Sequence, residues 1–304
     1  MILVTGGYGF IGSNLIRLLN SRSINDIIIV DDLTDGRKMM NLVNCQFSRI
    51  YDPDDFFEQF TEWDKIHFIF HEGAISSTRE MNGKLMLKRN FYFSQQLFGK
   101  AFEHKIPFQY ASSASVYGNM PSNTNVSENA PMNPQTPYAY SKYLFDIEML
   151  KLLNSEHFNK MEFNIQGLRY FNVYGPNELH KDDQASPITK FRKQAKETGK
   201  IKIFEGSEKI YRDFIFVEDV VKIKLDLAFN RMRSGIFNIG TGQAVSFFQI
   251  ADTIAKEENS TIEIIPFPEE YKNAYQYWTC ADIRKLHEVG IHHNFNHLLQ
   301  NRIH

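Results

Sequence analysis

The sequence has few cysteines, little net charge and no long apolar run, and each shortage excludes a class of protein. Its 304 residues contain two cysteines, which are too few for a disulfide framework and lack the spacing of a metal site. Because 34 Lys and Arg face 36 Asp and Glu, the net charge of −2 favours neither nucleic acid nor a membrane as partner. No apolar stretch reaches ~18 residues and no leader pattern is present, so we expect a cytoplasmic protein.

Short apolar runs alternate with segments of helical periodicity over the first two thirds of the chain. The runs lie at 1–4, 27–30, 66–70 and 106–111, and a long helix is expected at 138–153. This alternation predicts an α/β protein with a doubly wound parallel sheet, whose ligand site lies at the carboxyl ends of the strands. We expect residues 1–173 to form this domain, with a return near 210–255. Residues 174–304 should form mainly a smaller α/β substrate-binding lobe.

Three glycines, Gly6, Gly9 and Gly12, separate the first predicted strand from the first helix. They allow a tight turn, a close approach of backbone to a pyrophosphate and close packing of helix on strand. The helix N-terminus then offers unpaired N–H groups to the phosphates. Since Asp31 ends the next strand 19 positions further on, the pattern indicates a Rossmann-type dinucleotide-binding domain.

The sequence leaves the choice between NAD and NADP open. Asp31 can accept hydrogen bonds from an adenosine ribose, which favours NAD. Arg37 and Lys38 follow shortly after it, and their cations can pair with a 2′-phosphate, which favours NADP.

Tyr138 and Lys142 are four residues apart on a predicted helix and therefore share one helix face. A phenol with a pKa near ~10 is a poor base at neutral pH, and a neighbouring cation stabilises its phenolate. Ser113, at the end of a predicted strand, can hydrogen-bond the same substrate hydroxyl. Together with the glycine loop, these residues predict an oxidoreduction site; a chance pair on a surface helix is the alternative.

Several motifs resemble the extended short-chain dehydrogenase/reductase superfamily. They are TGGYGFIG at 5–12, ASSASVYG at 111–118, YAYSK at 138–142, RYFNVYGP at 169–176 and RDFIFV at 212–217. A second set is similar to the ADP-L-glycero-D-manno-heptose 6-epimerase family, namely FHEGA at 70–74, SST at 76–78, HK at 180–181, FEGS at 204–207 and IPFP at 265–268.

The second resemblance implies inversion of C6 in ADP-D-glycero-D-manno-heptose by transient oxidation. Tyr138 would be one base, supported by Ser113 and Lys142, and Lys181 the other. It implies one tightly bound NADP or NAD per chain, no metal and a homo-oligomer. The implied dinucleotide site is Gly6, Gly9, Phe10, Ile11, Gly12, Asp31, Asp32, Lys38, Glu72, Gly73, Ala74, Ser76, Asn90, Lys142, Val173 and Lys181. The implied sugar-nucleotide site is Ser113, Asn172, Asp183, Lys190, Phe204, Glu205, Gly206, Ser207, Arg212 and Tyr275.

The chain also departs from that family. Asp32 and Pro53 stand where the family tends to carry Asn and Lys, which both help to hold a 2′-phosphate. Asp183 and Lys190 replace two residues of the substrate side. The alternatives are therefore another nucleotide-sugar 4-epimerase or reductase, or a cofactor-sensing protein. Histidines after Gly290 are interpreted as a solvated tail and not as a metal site.

Overall fold

The computed structural model describes residues 1–156, 158, 162–231, 233–268 and 276–295. The strands are β1 (Ile2–Thr5), β2 (Ile27–Val30), β3 (Arg49–Tyr51), β4 (Phe68–His71), β5 (Phe108–Ser113), β6 (Ile165–Tyr170), β7 (Asn172–Tyr174), β8 (Lys200–Phe204), β9 (Tyr211–Phe216), β10 (Gly235–Ile239), β11 (Ala244–Ser246), β12 (Thr261–Ile265) and β13 (Trp278–Thr279). The α-helices are α1 (Phe10–Ser21), α2 (Phe56–Gln59), α3 (Gly83–Met86), α4 (Phe93–Glu103), α5 (Pro137–Leu153), α6 (Pro187–Thr198), α7 (Val217–Leu225), α8 (Phe247–Glu257) and α9 (Arg284–Glu288). A π-helical segment, Leu87–Tyr92, joins α3 to α4.

A parallel sheet of seven strands forms the centre of the described part of the chain, in the order β10-β6-β5-β4-β1-β2-β3. Residues of β1, β2 and β4 are buried throughout, because helices cover both faces of the sheet. The predicted α/β fold with a doubly wound parallel sheet is confirmed. The edge strand β3 is short and partly exposed, so its sequence lacks the apolar run that identifies the others.

Two apolar cores lie on opposite faces of this sheet. On one face, Leu97 of α4 and Phe145 of α5 pack against strand residues such as Ile69 and Phe108. On the other face, Leu15 of α1 and Val221 of α7 pack against residues that include Ile29 and Phe70. The carboxyl ends of the strands therefore open into a space framed by the N-termini of α1 and α5.

A smaller lobe contains the remaining strands. β9 pairs with β7, β11 and β13, and β12 pairs with β8. Helices α6 and α8 enclose a separate core around Phe191, Ile201 and Ile254. Residues 210–255, which are expected to return to the first domain, contribute to both lobes. β10 joins the large sheet, whereas α8 packs in the smaller lobe. The boundary at residue 173 stays a prediction. Within the described residues no helix is long and apolar enough to cross a membrane.

Candidate active site

A cavity of about 780 Å³ lies at the carboxyl ends of the strands, where the fold predicts a ligand. Eighteen residues predicted from the sequence line it: Gly6, Gly9, Phe10, Ile11, Gly12, Asp31, Asp32, Lys38, Glu72, Gly73, Ala74, Ser76, Ser113, Tyr138, Lys142, Asn172, Val173 and Lys181. The structure thus brings most of the implied dinucleotide site together with the four expected catalytic residues.

The glycine loop is tight enough to exclude side chains at two positions. Gly6 has φ +66°, and a Cβ atom there would lie 2.7 Å from the backbone nitrogen of Gly73. A Cβ atom on Gly12 would lie 2.2 Å from the carbonyl oxygen of Gly6. Helix α1 begins directly after Gly9 without a hydrogen bond from a capping side chain, and its first residues line the cavity. This cradle and helix terminus fit the pyrophosphate of a dinucleotide.

The end of β2 carries an acidic group whose partners are already defined. The backbone N–H of Tyr8 donates to Asp31 at 2.8 Å, and the Lys38 ammonium also donates to Asp31. Burial raises the pKa of Asp31, and the Lys38 cation opposes that shift. Arg37 is engaged elsewhere, since it binds Asp35 at 2.8 Å and Asp182 at 2.7 Å. Both cations that favoured NADP are therefore paired with carboxylates.

The Ser113, Tyr138 and Lys142 side chains meet beside the glycine loop. Thr136 caps α5 by accepting from the Ala139 N–H, and Pro137 occupies the first turn, so the helix starts where the sequence predicts. Burial raises the pKa of Tyr138, and a hydrogen bond with the Ser113 side chain opposes this. Burial lowers the pKa of Lys142 to about 8, and its ammonium donates to the Ala111 carbonyl at 2.9 Å.

Lys181 lies in the same cavity, on a 3₁₀ segment that crosses it (Leu179–Gln184). Its Nζ is 5.2 Å from the centre of the Phe10 ring, and burial lowers the pKa of Lys181. Glu178, at the base of the segment, accepts hydrogen bonds from the backbone N–H groups of Gly175 and Ser186. Sequence reasoning did not single out Glu178, because a glutamate that accepts hydrogen bonds from nearby backbone matches no motif.

The sequence predicts Glu72 as a site residue but not its buried partner, Lys224. Glu72 follows β4, lines the cavity and pairs with Lys224 of α7 at 2.5 Å. Both side chains are almost completely buried, with 3% and 0% of their surface exposed. In the sequence, Lys224 stands in a helix with several other charged residues. Such a pattern usually indicates a helix face exposed to solvent.

Asn90 lies behind the cavity wall and outside its lining. It is buried in the π-helical segment, where it accepts from the Ile75 N–H at 2.8 Å and donates to Ser141 at 3.0 Å. It therefore fixes the loop after Gly73 against α5, and its predicted contact with a dinucleotide stays a prediction.

The structure does not bring most of the predicted sugar-nucleotide residues to the cavity. Arg212 lies on β9, where it donates to the Tyr211 carbonyl at 2.8 Å and stacks over Phe247 at 5.6 Å. Asp183 and Lys190 lie beside the cavity, outside its lining, with Lys190 donating to the Asp183 carbonyl at 3.4 Å. A further group follows the end of β8, outside the lining: Phe204, Glu205, Gly206 and Ser207. Tyr275 lies outside the described residues. Binding of a substrate by these residues stays a prediction.

The histidines of the tail are partly described. His293 contacts Asp219 at 2.9 Å, and the His292 ring stacks on His287. His297 and His304 lie outside the described residues. Among the residues that are described, no group of three or more metal-binding side chains comes together.

The chain is similar in structure to several sugar-nucleotide enzymes. It is 28% identical to ADP-L-glycero-D-manno-heptose-6-epimerase of Helicobacter pylori, with a TM-score of 0.77 over 93% of this chain and 88% of that one. UDP-glucose 4-epimerase of Thermotoga maritima, solved with UDP-glucose, is 27% identical, with a TM-score of 0.78 over 95% and 92% of the two chains. UDP-N-acetylglucosamine 4-epimerase of Methanobrevibacter ruminantium, solved with UDP-N-acetylmuramic acid, is 25% identical, with a TM-score of 0.82 over 96% and 92%. A family model matches residues 2–240, which include the glycine loop, Ser113, Tyr138 and Lys142. The chain therefore belongs to the NAD dependent epimerase/dehydratase family.

Proposed function

We propose that this protein is a nucleotide-sugar epimerase that inverts one carbon by transient oxidation. The observation that carries the proposal is that Tyr138 and Lys181, two groups able to exchange protons, line one cavity with the dinucleotide cradle. Inversion returns the hydride to the opposite face of the carbonyl, so the carbonyl oxygen changes its position between the two steps. A second acid–base group can serve the oxygen in its second position. When bound, the nicotinamide dinucleotide removes a hydride from a substrate carbon and can return it.

The side chains of the cavity have defined tasks in this reaction. Tyr138 takes the proton of the substrate hydroxyl as the carbon is oxidised, and Ser113 holds that hydroxyl in line with the phenol. The Lys142 ammonium stabilises the phenolate. Lys181, whose pKa is lowered by burial, returns or removes the proton when the opposite face of the carbonyl is presented.

For the substrate, we propose ADP-D-glycero-D-manno-heptose, with inversion at C6. The FHEGA, HK and FEGS motifs support this choice, as does the similarity to the Helicobacter pylori enzyme. The second candidate is 4-epimerisation of a UDP-hexose, which is favoured by comparable similarity to two UDP-sugar 4-epimerases.

Substrate profiling by NMR distinguishes the two candidates. The protein is incubated with ADP-D-glycero-D-manno-heptose, UDP-glucose and UDP-N-acetylglucosamine separately, and the configurations at C6 and C4 are followed. We expect inversion of the heptose alone, and no inversion by Tyr138→Phe. Turnover of a UDP-sugar without inversion of the heptose would replace the proposal by the second candidate.

We propose further that the dinucleotide is NAD. A 2′-phosphate beside Asp31 would also meet Asp32 and Asp35, which line the same end of the cavity. Two cations of the lining are paired with carboxylates, since Lys38 contacts Asp31 and Arg89 contacts Asp54. Nearby, Arg37 is paired with Asp35 and Asp182. Like charges at this separation disfavour binding.

Calorimetric titration of cofactor-free protein tests the preference. We expect NAD to bind at least about tenfold more tightly than NADP, since the 2′-phosphate of NADP would have to approach the Asp32 carboxylate. Asp32→Asn should narrow the difference by weakening the repulsion of the phosphate. Tighter binding of NADP to the unmodified protein would contradict the assignment.

A further inference from the structure

Lys224 has every donor of its ammonium group engaged inside the protein. It donates to Glu72 at 2.5 Å, to the Gln109 side-chain oxygen at 2.7 Å and to the Tyr170 hydroxyl at 3.1 Å. Its side chain is completely buried. Burial lowers the pKa of Lys224, and the Glu72 charge and hydrogen bond oppose that shift, which favours the charged ammonium.

Glu72 is held from two sides as well. Tyr170 donates its hydroxyl to both carboxylate oxygens, at 3.0 and 3.1 Å, while Lys224 occupies one of them. The carboxylate lines the cavity that contains Tyr138 and Lys142. A negative charge at this wall therefore acts on the groups that exchange protons.

The effect of Glu72 on its neighbours has a definite sign. Burial raises the pKa of Tyr138 and the Glu72 charge raises it further, whereas the hydrogen bond with Ser113 lowers it. Burial lowers the pKa of Lys142, and Glu72 and Asp146 oppose that shift. An unbalanced Glu72 carboxylate would thus keep the phenol protonated, which works against a base.

The other charged groups around the phenol do not supply the balance. Asp146 of α5 is paired with Arg169 of β6 at 2.8 Å, and both are fully buried. Burial lowers the pKa of His71 to about 3, so this β4 residue is neutral. Lys142 of α5 lines the same cavity, and its ammonium donates to the Ala111 carbonyl. The cation that contacts Glu72 comes from α7.

We propose that Lys224 is a positioning residue of the catalytic centre: its ammonium group fixes and neutralises the Glu72 carboxylate, so that Tyr138 can give up its proton. The role in turnover rests on the proposed function. The electrostatic role does not, because it concerns groups of this chain alone.

Titration of the Tyr138 phenol tests the electrostatic role without substrate. The phenolate absorbance is recorded against pH, with and without NAD, and the curve of the matching Tyr138→Phe variant is subtracted. We expect Lys224→Met to move ionisation to higher pH and Glu72→Gln to move it to lower pH. The double variant should return close to the unmodified protein, because both charges are removed.

Two controls separate this role from a structural one. Lys222→Met removes a partly exposed lysine of the same helix, which pairs with Glu218, and should leave the pH of phenol ionisation unchanged. The direction of the shifts is the second control, because a mere loss of packing would not move this pH in opposite directions in the two single variants. If Lys224→Met does not fold, Glu72→Gln alone decides, because ionisation that is unchanged or moved upward overturns the proposal.

Kinetics then address the role in turnover. Lys224→Met should lower kcat at neutral pH about tenfold with little change in KM, and the double variant should recover most of the loss. Phenol titrations that shift as expected in a protein that epimerises no sugar nucleotide would leave the electrostatic role standing and remove the proposed function. Unshifted titrations in an active epimerase would do the reverse.

Discussion

The two sides of the cavity are built by different means. The glycine-loop side is built largely from backbone, because a Cβ atom on Gly6 or Gly12 would collide with neighbouring backbone atoms. The charged side consists of buried side chains, among which Lys142 and Glu72 have partners from other elements. Substitutions on the glycine-loop side should therefore act through the size of the new side chain and impair binding of the dinucleotide. Substitutions on the charged side should act through charge and impair the chemical step.

The largest effect is expected from a single methyl group on the backbone side. Gly12→Ala places a Cβ 2.2 Å from the Gly6 carbonyl oxygen, so the turn has to move. We expect calorimetry to detect no binding of NAD, which corresponds to at least about a hundredfold loss. Gly36→Ala is the matched control, because nothing lies within 4 Å of its Cβ position. Normal binding of NAD by Gly12→Ala would contradict the conclusion that the turn has no room for a side chain at this position.

The next largest effect is expected at the phenol. Tyr138→Phe keeps the size of the side chain and removes the acid–base group, so kcat should fall by about a thousandfold while NAD still binds. Tyr140→Phe, on the same helix and half exposed, should leave kcat unchanged. Comparable kcat values for the two variants would show that the base lies elsewhere.

A smaller loss is expected from the second base. Lys181→Ala should lower the rate of inversion about a hundredfold, whereas the first half-reaction, oxidation of the substrate carbon, continues. An exposed lysine of α6, Lys193, serves as control. Unchanged inversion by Lys181→Ala would assign both proton transfers to the Tyr138 side.

The mildest test varies pH. Burial lowers the pKa of Lys142 to about 8, so its ammonium is present below that pH and is lost above it. Since the ammonium stabilises the phenolate, kcat should decline as pH rises through about 8, and the decline should be absent in Lys142→Met, whose rate is low throughout. A kcat that keeps rising above this pH in the unmodified protein would show that the charge of Lys142 is not needed.

The backbone side could be predicted from the sequence because its signals are local. Gly6 and Gly12 lie in one turn, and Asp31 follows at the end of the next strand. The spacing of Tyr138 and Lys142, four residues apart on a helix, likewise predicts that they share one helix face. Each of these residues lines the cavity in the structure.

The charged side could not be predicted in full because its partners are distant in sequence. Lys222 and Lys224 are two residues apart on α7, yet one is partly exposed and the other is completely buried against Glu72, 152 positions earlier. Helical charge patterns do not reveal which lysine faces the sheet. Arg212 lies on β9, outside the lining of the cavity, and its contact with a substrate stays a prediction.

The most direct test of epimerisation by transient oxidation follows one hydrogen atom. ADP-D-glycero-D-manno-heptose carrying deuterium at C6 is converted in ordinary water, and the product is analysed by mass spectrometry and NMR. We expect the inverted product to retain its deuterium, because the same hydride is removed and returned within one site. Inverted product that has exchanged its deuterium for solvent hydrogen, or no inversion at C6, would contradict the proposed reaction.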